Sequence, residues 1–162
     1  NGKIGVRNNV GGGSVLWFEI PFNVAQVRPD VIVPEVERFR DTLFKILVAE
    51  DDEINQFVAG KQLETLGCVV DSVTNGKEVL EALEHTKYAL ILMDCQMPTM
   101  DGLEATRLIR AKGYSQSRLP IIALTANAFD EDREACLASG MNDFLAKPCQ
   151  TENIRSVLNR WL

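Results

Sequence analysis

The sequence of 162 residues has no hydrophobic run long enough to cross a membrane. Its longest, residues 88–93, is far shorter than the roughly 20 residues that a membrane-spanning helix needs. It has one histidine, His85, and no two of its four cysteines are spaced for a zinc site, so a usual zinc centre is excluded and reduced thiols are expected. No stretch is rich in basic residues, so nucleic acid is not an expected partner.

Acidic residues outnumber basic ones by 23 to 17, and the net charge is −6. Residues 1–43 carry five of each sign, so the whole excess lies in residues 44–162. This uneven distribution predicts two regions with different roles. The sequence begins at Asn1 without a methionine, and we expect it to be a piece of a longer protein.

The first region predicts a β-hairpin and a linker. Residues 15–22 are rich in β-branched and aromatic side chains, and the glycine-rich residues 8–13 before them favour a turn. We therefore assign residues 1–22 to a hairpin. Residues 23–43 are assigned to a linker, because two prolines there block regular helix.

Residues 44–162 alternate short apolar strands with amphipathic helices. Strands are predicted at residues 45–49, 68–70, 88–93, 120–124 and 143–146. Helices are predicted at residues 54–66, 77–84, 103–111, 130–139 and 152–162. Five strands alternating with five helices indicate an α/β fold with an open, mostly parallel, doubly wound sheet. Ligands bind such sheets at the carboxyl ends of the strands.

Polar side chains follow four of the predicted strands at that edge: Glu50, Asp51, Asp52, Asp94, Thr125 and Lys147. Clustered carboxylates repel each other by about 4 kcal/mol per pair at an effective dielectric constant near 20, so the cluster needs a cation. Because its donors are all oxygens, Mg²⁺ fits best. A carboxylate beside a metal, a lysine and a hydroxyl can attack a phosphoryl group. Asp52 is expected to cap the first helix instead.

Four segments match, in order and spacing, the motifs of the response-regulator receiver family: residues 46–52, 90–102, 123–128 and 143–148. Residues 44–162 therefore resemble a receiver domain. The resemblance implies a flavodoxin-like fold of five βα units and a function in phosphorelay signal transduction. It further implies that Asp94 is the phosphoacceptor.

The same resemblance implies a Mg²⁺ cofactor. It makes Asp51 and Asp94 ligands, places Glu50 at the metal through water, and adds the backbone carbonyl of Gln96 as a further protein ligand. These ligands would hold the ion on one side of the phosphoryl group.

Thr125 and Lys147 are implied as catalytic residues, the first bonding the phosphoryl group and the second pairing with it. Thr125 and Phe144 are implied as switch residues. Phe144 stands where the family carries an aromatic that is often tyrosine, and it lacks the hydroxyl that could form a hydrogen bond. The Lys147–Pro148 bond is implied to be cis.

Residues 11–21 resemble the terminal hairpin of a histidine-kinase ATP-binding domain. A hairpin of that kind, a linker and a receiver follow one another in hybrid sensor histidine kinases. The resemblance implies two partners, a kinase dimerisation and phosphoacceptor domain and a histidine phosphotransfer domain. It also implies a cytoplasmic location and leaves open whether the parent protein has a membrane anchor.

Alternation in the predicted hairpin places Leu16, Phe18, Ile20 and Phe22 on one face. An isolated hairpin is marginal in water, so we expect this face to be covered. We predict that the occupant is a second chain, through either its same segment or its receiver, which would give a homodimer. The alternative is that the hairpin folds back on its own receiver.

Two other functions remain as alternatives. A metal-dependent phosphohydrolase that forms an aspartyl phosphate would carry a second aspartate where this chain has Gln96. A pseudo-receiver that only binds partners would not need the full set of acidic residues, threonine and lysine. The fragment lacks most of an ATP-binding domain, so we expect it to catalyse only its own phosphorylation and dephosphorylation.

Overall fold

A computed structural model describes four stretches of the chain, residues 2–9, 11–21, 44–126 and 130–162. The chain divides into two units, residues 1–34 and 35–162. The predicted linker and Phe22 lie outside the described residues. None of the described helices combines the length and apolar character that crossing a membrane requires.

The predicted hairpin is confirmed. Strands β1 (Lys3–Asn8) and β2 (Ser14–Glu19) pair in antiparallel register. The turn between them requires glycine, because Gly12 and Gly13 have φ values of 96° and 85°, which other residues rarely adopt. Most large apolar side chains of the described hairpin residues, including those of Leu16 and Phe18, are exposed.

Within its described residues, the second unit has the five strands and five helices that the sequence predicts. The strands are β3 (Lys45–Ala49), β4 (Val69–Val73), β5 (Leu90–Asp94), β6 (Ile121–Thr125) and β7 (Asp143–Ala146). The helices are α1 (Glu53–Thr65), α2 (Gly76–His85), α3 (Gly102–Ala111), α4 (Asp130–Ser139) and α5 (Thr151–Trp161). All strands are parallel, in the order β4-β3-β5-β6-β7. Strands β4 and β5 lie on opposite sides of β3, so the strand order reverses there, and a crevice opens at the carboxyl ends of β3 and β5.

Helices cover both faces of this sheet. Leu47 of β3 packs in the cluster that includes residues of α2 and α3, while Ile46 and Val48 pack in the cluster that includes residues of α1 and α5. Because β3, β5 and β6 are buried on both faces, their sequences are nearly continuous apolar runs. That burial fixes the positions of the strand ends that carry the polar residues.

Strands β4 and β5 differ most from the sequence prediction. Strand β4 continues to Val73 instead of ending at residue 70, because an edge strand tolerates polar residues such as Asp71. Asp71 accepts a hydrogen bond of 2.6 Å from the Tyr88 hydroxyl and pairs with Lys45 at 2.8 Å. Strand β5 begins at Leu90, two residues later than predicted, and includes Asp94 as its last residue.

Helix α1 forms as predicted, but its apolar residues do not share one buried face. Leu63 is fully buried, whereas Ile54, Phe57 and Val58 are 74%, 65% and 46% exposed. The small side chain of Ala59 takes a core position instead. We call the three exposed residues Ile54, Phe57 and Val58 the α1 patch.

Candidate functional site

An open cleft of about 890 Å³ lies at the carboxyl ends of β3, β5 and β6. The predicted site residues that line it are Glu50, Asp51, Asp94, Gln96, Thr125 and Lys147. The chain therefore brings together in space the polar residues that are up to 97 positions apart in sequence, counting from Glu50 to Lys147.

Three carboxylates form a tight cluster in this cleft. Single oxygens of Glu50, Asp51 and Asp94 lie within 4.8 Å of one another. Glu50 is only 2% exposed and Asp94 only 7%, whereas Asp51 faces solvent. The Asn55 side-chain amide donates to Glu50 Oε1 at 3.1 Å, and the Gln96 backbone N–H donates to Asp94 Oδ1 at 3.1 Å. These bonds hold the two buried carboxylates in fixed orientations.

Lys147 joins the two buried carboxylates. Its Nζ lies 2.6 Å from Glu50 Oε2 and 2.8 Å from Asp94 Oδ2. Burial acts to lower the pKa of Lys147, but the hydrogen bond to Asp94 and the close charges of Asp94 and Glu50 outweigh it, and the pKa is raised above its usual value. The lysine therefore stays charged. It balances one of the three carboxylates, so these four side chains keep a formal charge of −2.

The remaining charge and the donor set fit a hard divalent cation. Among the described residues, Glu50 Oε2 is buried and accepts no hydrogen bond of good geometry, although the charge of Lys147 lies close to it. Every candidate donor in the cluster is an oxygen atom, which is what Mg²⁺ prefers. A divalent ion would neutralise the excess charge.

Thr125 and Lys147 are tied together through the backbone. The Lys147 N–H donates to the Thr125 carbonyl at 2.8 Å, so the ends of β6 and β7 are in register at the cleft. The Lys147–Pro148 bond is cis, as expected. Phe144 lies outside the cleft lining that the structure describes. Its ring is half-buried, with the Arg133 guanidinium 5.2 Å from the ring centre.

Asp52 has the role expected of it at the start of α1. Its carboxylate accepts hydrogen bonds from the backbone N–H groups of Ile54 at 3.0 Å and Asn55 at 2.8 Å. It therefore caps the helix. It is not part of the cluster of Glu50, Asp51 and Asp94.

Sequence reasoning missed two amides that support the site. Besides Asn55, the Gln56 side chain donates to the carbonyl oxygens of Glu50 at 3.2 Å and Val73 at 3.1 Å, which joins the ends of β3 and β4. Both amides lie in the first turns of α1, directly after the acidic residues. Their position indicates a role at the site, because the first turn of a helix that follows a strand lies next to the strand ends.

The loop from β5 to α3 is folded closely against the phosphoacceptor candidate. A Cβ atom at Gly102 would lie 2.1 Å from the carbonyl oxygen of Asp94, so no larger residue fits there. The Met100 N–H donates to the Pro98 carbonyl at 2.9 Å across Thr99, which has a φ of 73°. The tight turn and the glycine together set the position of the chain beside Asp94.

The family of the chain follows from residues 46–159, which match the family model of the response regulator receiver domain. The chain belongs to the response-regulator receiver family. The predicted fold agrees with this membership, and receiver domains function in phosphorelay signal transduction.

Relatives with this receiver domain are much longer proteins. Hybrid signal transduction histidine kinase K of Dictyostelium discoideum is 40% identical over 167 aligned positions, which cover 97% of this chain and 14% of that protein. Histidine kinase 5 of Arabidopsis thaliana is 37% identical, with 73% of this chain and 16% of that protein covered. The chain thus spans about one seventh of the length of these relatives.

Solved receiver domains have the same architecture. The receiver domain of a sensor histidine kinase from Pseudomonas aeruginosa, with a magnesium ion coordinated in its active-site cleft, is 45% identical with a TM-score of 0.68. The match covers 74% of this chain and 97% of the Pseudomonas aeruginosa domain. A receiver domain from Saccharomyces cerevisiae, crystallised with a histidine phosphotransfer signalling protein, is 31% identical with a TM-score of 0.67. That comparison covers 74% of this chain and 88% of the other.

Proposed function

We propose that this chain is the receiver region of a hybrid sensor histidine kinase and that Asp94 accepts a phosphoryl group from a phosphohistidine. One observation carries the assignment of the residue. Asp94 is a buried carboxylate that contacts Lys147 and shares a cluster with Asp51, and, unlike Glu50, it is itself the last residue of β5, the middle strand of the sheet. Asp52, which is also acidic and lines the cleft, is occupied as a helix cap.

The contacts of Asp94 suit an attack on phosphorus. Its Oδ1 accepts the Gln96 N–H and its Oδ2 accepts from Lys147, so the carboxylate cannot turn away from the cleft. A carboxylate oxygen forms the new O–P bond while the P–N bond to the histidine ring breaks and the ring leaves with that electron pair. Lys147 then pairs with the transferred group, and the Thr125 hydroxyl donates a hydrogen bond to it.

We assign the acidic cluster to Mg²⁺. Asp51 and Asp94 would be direct ligands, the carbonyl of Gln96 a further one, and Glu50 would act through water. When bound, the ion offsets the negative charge of the carboxylates and of the incoming phosphoryl group. The formal charge of −2 among the four side chains, together with the magnesium ion in the Pseudomonas aeruginosa receiver, supports this assignment.

Thr125 and Phe144 are proposed as the switch residues. Phe144 pairs in register with Ala123, two residues before Thr125 on the adjacent strand. A shift of Thr125 toward a phosphoryl group would therefore be passed to the ring through neighbouring strands. Because phenylalanine has no hydroxyl, the ring would respond by repacking against Arg133, whose guanidinium it already contacts.

The α1 patch is proposed as the docking surface for a histidine phosphotransfer domain. Helix α1 begins directly after the acidic residues of the cleft, and Asn55 both lines the cleft and bonds Glu50. The three exposed apolar residues are therefore beside the place where a phosphohistidine has to enter. A few side chains that are well packed and desolvated in an interface carry most of its binding energy. The yeast receiver crystallised with a phosphotransfer protein supports this class of partner.

The rate of phosphoryl transfer tests both the proposed acceptor function and the proposed docking surface. The phosphorylated histidine phosphotransfer protein of Saccharomyces cerevisiae, mixed with the chain and Mg²⁺, should lose its phosphoryl group to the chain. We expect Phe57→Ala to slow transfer by about tenfold, which corresponds to about 1.4 kcal/mol of lost interface energy. Leu108→Ala, which removes an exposed apolar residue on α3, is the matched control and should have no effect.

Acetyl phosphate separates docking from chemistry, because this small donor needs no protein interface. Phe57→Ala should accept its phosphoryl group at the normal rate. Equal slowing with both donors would contradict the docking surface. No transfer from either donor to the unmodified chain would contradict the function.

Residues 1–22 are proposed to be the last hairpin of a kinase ATP-binding domain. The alignment with the Dictyostelium discoideum hybrid kinase supports this, since it covers 97% of the chain and therefore extends beyond the receiver. A cytoplasmic location and partnership with the kinase's own phosphoacceptor domain are part of the same proposal. The two alternatives have less support. A phosphohydrolase would carry a second aspartate where this chain has Gln96, and a pseudo-receiver would not need the full set of acidic residues, threonine and lysine.

A further inference from the structure

Two thiols meet inside the cleft. The Sγ atoms of Cys95 and Cys136 lie 3.3 Å apart, although the residues are 41 positions apart in sequence. Cys95 directly follows Asp94 and is half-buried, while Cys136 is a buried residue of α4. Both line the same cleft as the acidic cluster.

We propose that Cys95 and Cys136 form a reversible intramolecular disulfide, which makes the phosphoacceptor cleft a redox modification site. A disulfide has an S–S distance of about 2.05 Å, so the two sulfurs have to approach by little more than about 1 Å. Side-chain rotation supplies a movement of that size without unfolding either element. The core contact of Cys136 keeps the two sulfurs together in the reduced state.

Hydrogen peroxide is the oxidant class that completes the reaction. The Cys95 sulfur, which is the more accessible of the two, attacks the O–O bond and becomes a sulfenic acid while the other oxygen leaves as water. The Cys136 sulfur then attacks the sulfenic sulfur, forms the S–S bond and releases the second water. The two thiols lose two electrons and two protons, and one peroxide is reduced to two waters.

The disulfide would join two walls of the cleft. The Cys95 N–H donates to the Leu124 carbonyl at 3.2 Å, and its carbonyl accepts from Gly102 at 3.2 Å, so Cys95 is part of the framework that positions Asp94. Cys136 belongs to the helix that follows the strand of Thr125. A bond between them resists any change in the width of the cleft. The oxidised chain should therefore accept a phosphoryl group severalfold more slowly, a consequence that rests on the proposed function.

The test starts from the full chain treated with a small excess of hydrogen peroxide. Intact mass should show the loss of two hydrogen atoms, reversed by dithiothreitol, and tryptic peptides should be linked through Cys95 and Cys136. Because trypsin does not cleave before proline, Cys136 and Cys149 fall in one peptide, so the mapping uses a Cys149→Ser background. Cys95→Ser and Cys136→Ser should each abolish the loss of mass.

The other two thiols provide the matched control. Burial raises the pKa of the Cys68 and Cys149 thiols, and the double variant Cys68→Ser, Cys149→Ser should still form the disulfide. A linkage that involves Cys68 or Cys149, a linkage between chains, or oxidation of Cys95 to sulfinic acid without a linkage would overturn the proposal.

The rate of phosphorylation by acetyl phosphate then tests whether the disulfide slows phosphoryl acceptance. Slower acceptance by the oxidised chain, restored by dithiothreitol and absent in Cys136→Ser, would support it. Equal rates in both states would overturn the consequence and leave the modification site standing. A chain that forms the disulfide but accepts no phosphoryl group in either state would overturn the proposed function instead.

Discussion

At the residue scale, the site is governed by charge compensation. Three carboxylate oxygens lie within 4.8 Å of one another, and a single ammonium contacts two of them. Repulsion at such distances amounts to about 4 kcal/mol per pair at an effective dielectric constant near 20. Lys147 relieves part of it for Glu50 and Asp94, whereas Asp51 has no such contact with the lysine among the described ion pairs. Asp51 is therefore the carboxylate of the cluster that a bound cation, and not the lysine, would compensate.

The comparison of Asp51→Asn with Asp52→Asn tests this dependence on the metal. Mg²⁺ that binds only the folded chain should stabilise it by roughly 2.7 kcal/mol at a concentration hundredfold above Kd. Chemical denaturation with and without Mg²⁺ should show that Asp51→Asn loses most of this increment. Asp52→Asn removes the same charge one residue away, and asparagine caps a helix as well as aspartate does. It should keep the increment.

A different result would place the metal elsewhere. If both variants retained the increment, the cluster of Glu50, Asp51 and Asp94 would not be the binding site. If both lost it, the general acidity of the cleft would matter more than coordination by Asp51.

Single residues of the site could be predicted because they occupy strand ends. Asp94 and Thr125 follow apolar runs, and the parallel sheet brings such positions to one edge. The position of Asn55 and Gln56 in the first turns of α1 indicates that they lie near the site, but their bonding partners could not be predicted, because these depend on how the helix lies over two strands. The same limit applies to the contact of Cys95 with Cys136, which joins elements that are distant in sequence.

At the element scale, the loop between β5 and α3 positions Asp94, the proposed phosphoacceptor. The Gly102 N–H donates to the Cys95 carbonyl at 3.2 Å, and α3 starts at that glycine with Asp101 as its N-cap. The Asp101 carboxylate accepts from the Glu104 N–H at 2.7 Å. The helix start and the strand end are therefore held together by backbone contacts with no space for a side chain at residue 102.

Gly102→Ala should both destabilise the domain and slow phosphorylation. The added methyl would meet the Asp94 carbonyl oxygen, a backbone atom that can move only with the strand. We expect a loss of about 1–3 kcal/mol in the free energy of unfolding, as for an overpacked core, and slower reaction with acetyl phosphate. Denaturant titration and intact-mass kinetics measure the two effects.

Gly60→Ala is the matched control. Gly60 lies within α1, and a Cβ there would meet nothing within 4 Å. The substitution should stabilise the helix by about 0.5–1 kcal/mol and leave phosphorylation unchanged. Equal effects of the two alanines would show that the close approach at Gly102 does not constrain the site.

Helices and strands could be predicted from the spacing of apolar residues and from composition. Which residues of an element are buried could not always be predicted. The apolar residues of α1 recur at helical spacing, yet Ile54, Phe57 and Val58 point outward while Leu63 is buried. Burial there depends on which turn of the helix the sheet reaches. Strand β4 was predicted too short because, at the edge of the sheet, it carries polar residues that interrupt its apolar run.

At the scale of the whole molecule, the two units differ in how they bury apolar surface. The receiver buries its central strands on both faces, whereas the hairpin leaves Ile4, Leu16, Phe18 and other large apolar side chains exposed. A two-stranded hairpin is marginally stable in water by itself. The homodimer through the hairpin, the fold of residues 23–43 and the cytoplasmic location stay predictions.

Light scattering on the full chain and on residues 44–162 tests the homodimer. If a second copy covers the hairpin, the full chain should be a dimer at concentrations at which residues 44–162 are monomeric. Two monomeric species would contradict the homodimer. Thermal unfolding then shows whether the hairpin contacts its own receiver, since such contact would make the full chain more stable than residues 44–162.

The central claim is that Asp94 receives the phosphoryl group, and chemical trapping tests it most directly. The chain is incubated with acetyl phosphate and Mg²⁺ and then treated with borohydride, which reduces an aspartyl phosphate to homoserine. Peptide mass spectrometry should find homoserine at position 94, no homoserine when the metal is chelated, and none in Asp94→Asn. Homoserine at residue 51 or 52, or an equal yield in Asp94→Asn, would contradict the account.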